Sequence, residues 1–593
     1  MKDLKALTEY CLISVKQFSA FLKVFIGISI GAVLVFILLG INISPIYYLA
    51  LLILLPLTIL EIIIYRKSIL QKLIRQLRED WGKEKDRKRN FSEIESFYRY
   101  TSRDCENSGI FLDDQTWSDL NMNELYSQID RTMTNPGECV LYNILRKPLL
   151  SAPMLKKRNE IIRLFQADKH IREQVQIEFL RLGMKQGNTV TTLVYEEVPP
   201  LSNIRFLFSF LALLALLSIV IVPFLWGAPG IFFVVIPLYI VNLLASYKIR
   251  AGLAFQIGAI RYLGAMIRIA QKISTFNCPE LRDYCEKLKK AASASEKIAS
   301  KTFLLSPENY FSSDFVTLLY AHADTYFLRE VRIFYRVLDE IRAHQEDIKL
   351  IYSLIGELDA LQSAASYREG FPGYIEPSFS HEEILLEIKD ARHPLLPNPV
   401  PNSITIREKG VSITGSNMAG KTTFLRTLGV NIVLAQTIYM CFADSYHGNY
   451  FRIISLVNEA DSLIEGKSYY LVQAEHLLRM VEASQKEVLT LCLIDEPLAG
   501  TNSSERLAAS FEILRFLVEH NALVVIATHD LELARKLEFG FKSYHFTDDI
   551  DEKGLRFDYK LKEGVTTTSN AIKLLEFLNY PGDITKNAMQ NLA

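Results

Sequence analysis

Long apolar stretches alternate with polar segments along this chain, and the longest of them set the reading of its first half. Val24–Ile41 is a run of 18 apolar or small residues, and Ile46–Tyr65 is a second run of 20, interrupted by Pro56 and Glu61. As a helix each would be about 27 to 30 Å long at 1.5 Å per residue, the thickness of a bilayer core. Only Asn42, Ile43, Ser44 and Pro45 separate them, which predicts a tight helical hairpin. The pattern returns in Phe206–Trp226 and Ile231–Ala245, joined by the turn-forming residues Gly227, Ala228, Pro229 and Gly230. Four such runs in two linked pairs with polar flanks predict four membrane spans rather than buried core helices. The first run exceeds the roughly 7 to 15 apolar residues of a cleaved signal. Glu61, near the end of its run, reads as a carboxylate reaching the interface rather than a proton relay.

Charge orients these hairpins. Lys2, Lys5 and Lys16 precede the first run, Arg66, Lys67, Lys72, Arg75 and Arg78 follow the second, and Lys248 and Arg250 follow the fourth, while neither turn carries Lys or Arg. The excess of basic flanks places the N-terminus, the middle segment and the C-terminal half in the cytoplasm, and the protein in the inner or cytoplasmic membrane.

The last third has a different pattern, of short apolar runs followed by polar or glycine-rich turns. Gly410–Thr423 reads GVSITGSNMAGKTT, a strand pattern entering a loop with Gly415, Gly420, Lys421 and Thr422 at P-loop spacing, and a helical pattern follows. In that order the backbone N–H groups of Ser416, Asn417, Met418, Ala419 and Thr423 lie where a phosphate is cradled; Lys421 reaches the β and γ phosphates of ATP and Thr422 ligates Mg²⁺. Leu491–Glu496, LCLIDE, is a strand pattern ending in two acids. Asp495 can hold Mg²⁺ through water and Glu496 can orient or deprotonate the attacking water, although adjacent acids also mark a simple solvated strand exit. Val524–Ala527 is another apolar strand, ending in Thr528-His529-Asp530, where His529 is a γ-phosphate sensor or a turn histidine. Between them, Gly466-Lys467-Ser468 opens a helical pattern, and Ser468 fits an anion site or an ordinary helix cap. The ordered set is far more specific than any one member.

Composition narrows the field only a little. With 593 residues the chain divides into several units. A net charge of -1 supplies no global basic field for nucleic acid. The seven cysteines are scattered without zinc or redox spacing, as expected of reduced thiols.

Several segments together resemble the MutS family: TGSNMAGKTT its P-loop, GKSYYLVQAE its signature segment, Gly500-Thr501-Asn502-Ser503 its Gly-Thr-Ser loop, and Thr528-His529 its switch histidine. Ala391-Arg392-His393-Pro394 is similar to the family's lead into the nucleotide domain, Leu112–Leu149 to the opening of its core, and Lys560–Asn570 to its closing segment. The resemblance implies an ABC-type ATPase working as a homodimer, with Gly466 and Ser468 completing the partner's ATP site. It also implies that Tyr559 stands beside adenine where the family has a His, that DNA is the default target, and that the role is DNA mismatch repair. Departures accompany it: Tyr469 replaces a Thr, Gln473 an acid, and Pro497-Leu498-Ala499 an Ile-Gly-Arg. No mismatch-reading module is expected ahead of the core, and Phe91-Ser92-Glu93 matches its Phe-x-Glu wedge in letters only.

The expected architecture is therefore multidomain, an α-helical core and lever region with two transmembrane hairpins followed by an α/β P-loop ATPase domain. The expected boundaries are 1–20 for a cytoplasmic N-terminus, 21–65 and 206–246 for the hairpins, 66–205 and 247–385 for the core and lever, and 386–593 for the ATPase. Two rival functions are a membrane-anchored switch acting on a protein or lipid partner without DNA, and an ABC transporter, for which two hairpins supply few helices.

Overall fold

The β-branched runs of the last third become strands because cover on both faces suits them. The computed structural model describes residues 31–33, 35–103, 110–184, 189–196, 204–303, 322–380, 386–416, 419–457, 469–498, 503–538, 540–551, 554–564, 575 and 580–590. Its strands are β1 (Ser378–Phe379), β2 (Leu386–Ala391), β3 (Asn402–Ile406), β4 (Gly410–Thr414), β5 (Ser445–Gly448), β6 (Arg452–Leu456), β7 (Thr490–Asp495), β8 (Ala522–Thr528), β9 (Lys542–Asp551) and β10 (Gly554–Glu563). A six-stranded sheet runs β10-β9-β4-β8-β7-β6, parallel except for the antiparallel β9–β10 pair. A smaller mixed sheet runs β1-β5-β2-β3.

Its helices include α1 (Leu51–Asp80), α2 (Asp114–Asp119), α3 (Lys169–Leu182), α4 (Ile204–Gly230), α5 (Ile236–Ile273), α6 (Arg329–Ala343), α7 (Gln345–Gly370), α8 (Lys421–Thr437), α9 (Tyr469–Ser484) and α10 (Ser503–Glu519). Leu477 and Met480 of α9 and Leu514 and Leu517 of α10 pack on Cys492, Ile494, Val524 and Ile526 of the sheet. A helical core with a C-terminal α/β domain is the architecture the sequence pattern implied.

The chain divides into two compact units that interleave in sequence. One comprises Met1–Trp81 and Glu173–Ile355, the other Gly82–Arg172 and Gly356–Ala593. The expected boundaries at 66, 205, 247 and 385 do not coincide with this division. The reason is physical: α3 and α7 carry the chain across it without a break in helical periodicity, and α5 runs on past residue 246 to Ile273.

Among the described residues of the first unit, two helical stretches are long and apolar enough to cross a bilayer, Pro45–Asp80 and Phe206–Lys248. The expected first run is described only as the shorter helix Gly31–Asn42, and its residues 24–30 lie outside the described residues. Phe36 meets Tyr47 across the Asn42–Ser44 turn at 6.4 Å between ring centroids, so the chain reverses there. Phe206–Lys248 also folds back. Gly227 breaks the helix with φ 57° and ψ -146°, a left-handed φ that favours glycine. Ser218 Oγ lies 2.6 Å from the Tyr326 hydroxyl and Asn242 Nδ2 donates to the Tyr326 carbonyl at 2.7 Å. On one straight helix Ser218 and Asn242 would be about 36 Å apart, so the two contacts require a reversal.

Candidate active site at the strand ends

Parallel register brings the chemistry to one edge of the large sheet. Thr414 at the end of β4 pairs with Thr528 at the end of β8, and Asp495 at the end of β7 pairs with Ala527. The loop after β4 enters α8 through Gly415 and Gly420, whose φ values of 146° and 107° are ones that side chains rarely adopt. A Cβ at Gly415 would lie 2.9 Å from the Phe546 carbonyl, and one at Gly420 would lie 3.3 Å from the Tyr559 ring. The first turn of α8 has no acidic residue and no side-chain cap, which suits an anion at its N-terminus.

Lys421 is buried and donates from Nζ to the carbonyls of Gly415 at 2.8 Å and Ser416 at 3.0 Å. The Thr422 hydroxyl donates to the Asp495 carboxylate. Burial raises the Asp495 carboxyl; the Thr422 bond and Lys421 act against that, and the neighbouring Glu496 charge adds to it. A hydroxyl and a carboxylate in contact are oxygen ligands of the kind Mg²⁺ takes, and a cation would offset the raised carboxyl.

Glu496 is held in an uncommon conformation, φ 50°, of the sort that costs about 1 to 3 kcal/mol. The following segment fixes its carboxylate. The His529 backbone N–H donates to Oε1 at 2.8 Å, the His529 Nδ1 lies 2.6 Å from the same oxygen, and the Thr528 hydroxyl donates to Oε2 at 3.1 Å. The sequence-selected Glu496 and His529 therefore form one unit.

Beside the loop is a cavity of ≈ 280 Å³ lined by His393, Val400, Asn402, Phe424, Phe546 and Tyr559, among others. Asn402 fastens its rim, donating to the Tyr559 carbonyl at 2.9 Å and accepting from the Leu561 N–H at 2.8 Å. Burial, with the Arg426 charge nearby, lowers the His393 imidazole to about 4. The Leu395 N–H donates to its Nδ1 at 3.3 Å, so the neutral ring carries its proton on Nε2.

Other residues of this unit had no signal in the sequence. Asp119 at the end of α2 is fully buried and accepts from Ser455 Oγ at 2.7 Å and the Val457 N–H at 2.9 Å, at the end of β6. Its carbonyl accepts from Arg426 Nε of α8 at 2.8 Å. The far end of α8 is capped by two arginines: Arg158 donates to the Thr437 carbonyl at 2.7 Å, and buried Arg368 to those of Ile438 and Tyr439 at 2.5 and 2.8 Å. Asn417, Met418, Gly466, Ser468 and Gly500–Asn502 lie outside the described residues.

Residues 411–593 match the family model described as MutS domain V, and residues 110–365 match that described as MutS domain III. Curated relatives include proteins named DNA mismatch repair protein MutS. That of Thermus aquaticus is 28% identical over 264 residues, 44% of this chain and 32% of the relative. That of Chlorobium chlorochromatii is 29% identical over 279 residues, covering 45% and 32%, and that of Staphylococcus carnosus 26% over 272, covering 44% and 31%. The chain thus spans about a third of the length of the relatives it matches.

Proposed function

The chain belongs to the MutS family, and on that premise we propose that it is a membrane-anchored ATPase that binds ATP with Mg²⁺ and releases ADP and phosphate. The observation that carries this reading is the parallel register that gathers Lys421, Thr422, Asp495, Glu496 and His529 at one sheet edge, beside a cavity fit for a base. The α8 N-terminus and Lys421 bind the phosphates. Thr422 and Asp495 would hold Mg²⁺, which neutralises phosphate charge when bound. Glu496, aimed by Thr528 and His529, takes the proton of the attacking water. Tyr559 offers a ring to the base.

In this reading the working form is a homodimer in which Gly466 and Ser468 complete the partner's site. Lys421→Ala and Ser468→Arg should each be nearly inactive alone. Mixed, they should recover activity in proportion to the heterodimer, because the intact P-loop of one chain then faces the intact Ser468 of the other. No recovery from two folded, dimerising variants would overturn the shared site.

The hairpins serve as four membrane spans with the ATPase in the cytoplasm; a tag at Gly227 that scored cytoplasmic would refute this. DNA is the target that the relatives' name suggests. The matches cover domains III and V, and we propose that the purified protein does not favour a mismatched over a matched duplex at fixed salt. A preference of about tenfold or more would contradict that. A second reading, a switch on a protein or lipid partner, draws support from the exposed apolar face of α4 and α5. Pull-down from solubilised membranes, probed for DNA and for protein, separates the two.

A further inference from the structure

On the face of α6 toward α4, Arg332, Tyr335, Arg336 and Asp339 follow one another at helical spacing. They line a cavity of ≈ 190 Å³ closed on the other side by Phe206 and Ser209 of α4. The walls are set by packing: Phe208 is buried against Leu328 and Val331, and its ring stacks on Tyr335 at 6.0 Å. The space is several times the roughly 30 Å³ that a water occupies in the liquid.

The charges in this cavity lack balance. Arg332 and Arg336 are like charges one turn apart, an arrangement that destabilises a helix unless an anion joins them. Arg332 Nε is buried with no hydrogen-bond partner among the described residues. Burial and the Arg336 charge lower the Arg332 guanidinium, as expected of a cation facing another. Asp339, on the same face, contributes the one carboxylate of the lining and also lies 3.9 Å from Arg342. Two guanidinium groups against one carboxylate leave a net positive cavity, and forked guanidinium donors match phosphate oxygens.

The outer face of α4 identifies the source of the phosphate. Phe206, Leu207, Phe210 and Leu213 are exposed beside the cavity, so a ligand whose phosphate sits there has apolar surface waiting for its tail. We propose that Arg332 and Arg336, with Ser209, form a binding site for the phosphate of an anionic membrane phospholipid. The proposal rests on the membrane-anchored reading above, and deepens it by assigning a lipid class to the base of the second hairpin.

Native mass spectrometry of the full chain in detergent tests the site, with phosphatidylglycerol, phosphatidylcholine and inorganic phosphate as probes. The parent should retain phosphatidylglycerol over phosphatidylcholine by about tenfold or more, given what each basic residue contributes near an anionic surface. In Arg332→Gln/Arg336→Gln the preference should fall to about twofold or less, with ATP turnover unchanged. Ser209→Phe, which fills the cavity from α4 and leaves both arginines in place, should lose it too. Inorganic phosphate should not displace the lipid. A parent without preference, or a folded double variant that keeps it, would overturn the site, and displacement by inorganic phosphate would reassign it to a soluble anion. Release of the parent from membranes by alkaline carbonate would instead remove the membrane reading itself, which keeps the two failures apart.

Discussion

β8 and α4 are both largely apolar, and they meet opposite fates. Every residue of Ala522–Thr528 is buried, because β4 and β7 flank the strand and helices cover its faces. Along α4, by contrast, Phe208, Ala212, Ala215 and Ser218 form one covered stripe, while Val220 is 65%, Phe224 89% and Trp226 66% exposed. Hydropathy alone thus says that a segment avoids water, and cover says where it goes. A strand of seven residues finds its cover in the sheet; a helical hairpin with an apolar outer face calls for a non-aqueous neighbour.

The sharpest way to break the contrast is to place one charge in each segment. Val525→Asp puts an unpaired carboxylate in the centre of the sheet, and the expected loss exceeds about 4 kcal/mol, enough to leave no folded protein in a solubility and thermal-unfolding assay. A folded Val525→Asp protein would mean that β8 is less enclosed than described.

A covered region also demands partners for its polar groups. Asp119→Ala would leave the Ser455 hydroxyl and Val457 N–H without their carboxylate, and chemical denaturation should show a loss of about 3 kcal/mol. Asp119→Asn, which keeps one acceptor, should lose less.

Ionisation is penalised in the same way. The His393 imidazole falls from its ordinary 6.5 to about 4 in the fold, so between these values the unfolded chain binds more protons. Its contribution is therefore present in full above pH 6.5 and is lost as pH falls toward 4, by about 3 kcal/mol in all. The difference between the parent and His393→Gln isolates this slope, since other groups titrate equally in both. Parallel stability curves from pH 7 to pH 4.5 would show that His393 is not held neutral.

At the uncovered end, Val220→Asp should change thermal stability in detergent by less than about 0.5 kcal/mol. The same change should weaken membrane insertion by about 2.5 to 3.5 kcal/mol if Val220 lies near mid-span, read as the carbonate-resistant fraction. Equal retention in membranes would place Val220 outside lipid.

What was legible in the sequence follows the same division between local and distant causes. The P-loop spacing, the acids after β7 and His529 after β8 are local patterns, and the sheet register brings the described ones together. Tyr559 was reached only through the family resemblance, because nothing around it in the chain marks a cavity wall. Phe546 and His393 gave no sign of lining the same cavity, since β9 and the β2–β3 connection meet only in the fold. Asp119, Arg158 and Arg368 carry no mark in the sequence, because their contacts with α8 and β6 are tertiary and no periodicity records them. The interleaving of the two units was hidden for the opposite reason, since α3 and α7 look like any other helix while passing from one unit to the next.

If the strand-end cluster hydrolyses ATP, Glu496→Gln should separate binding from hydrolysis. The substitution keeps the volume and most of the polar contacts but removes the base, so ATP binding by equilibrium dialysis should match the parent while single-turnover hydrolysis falls about 10² to 10⁴-fold. Hydrolysis at the parent's rate by a Glu496→Gln protein that binds ATP normally would mean that Glu496 is not the base.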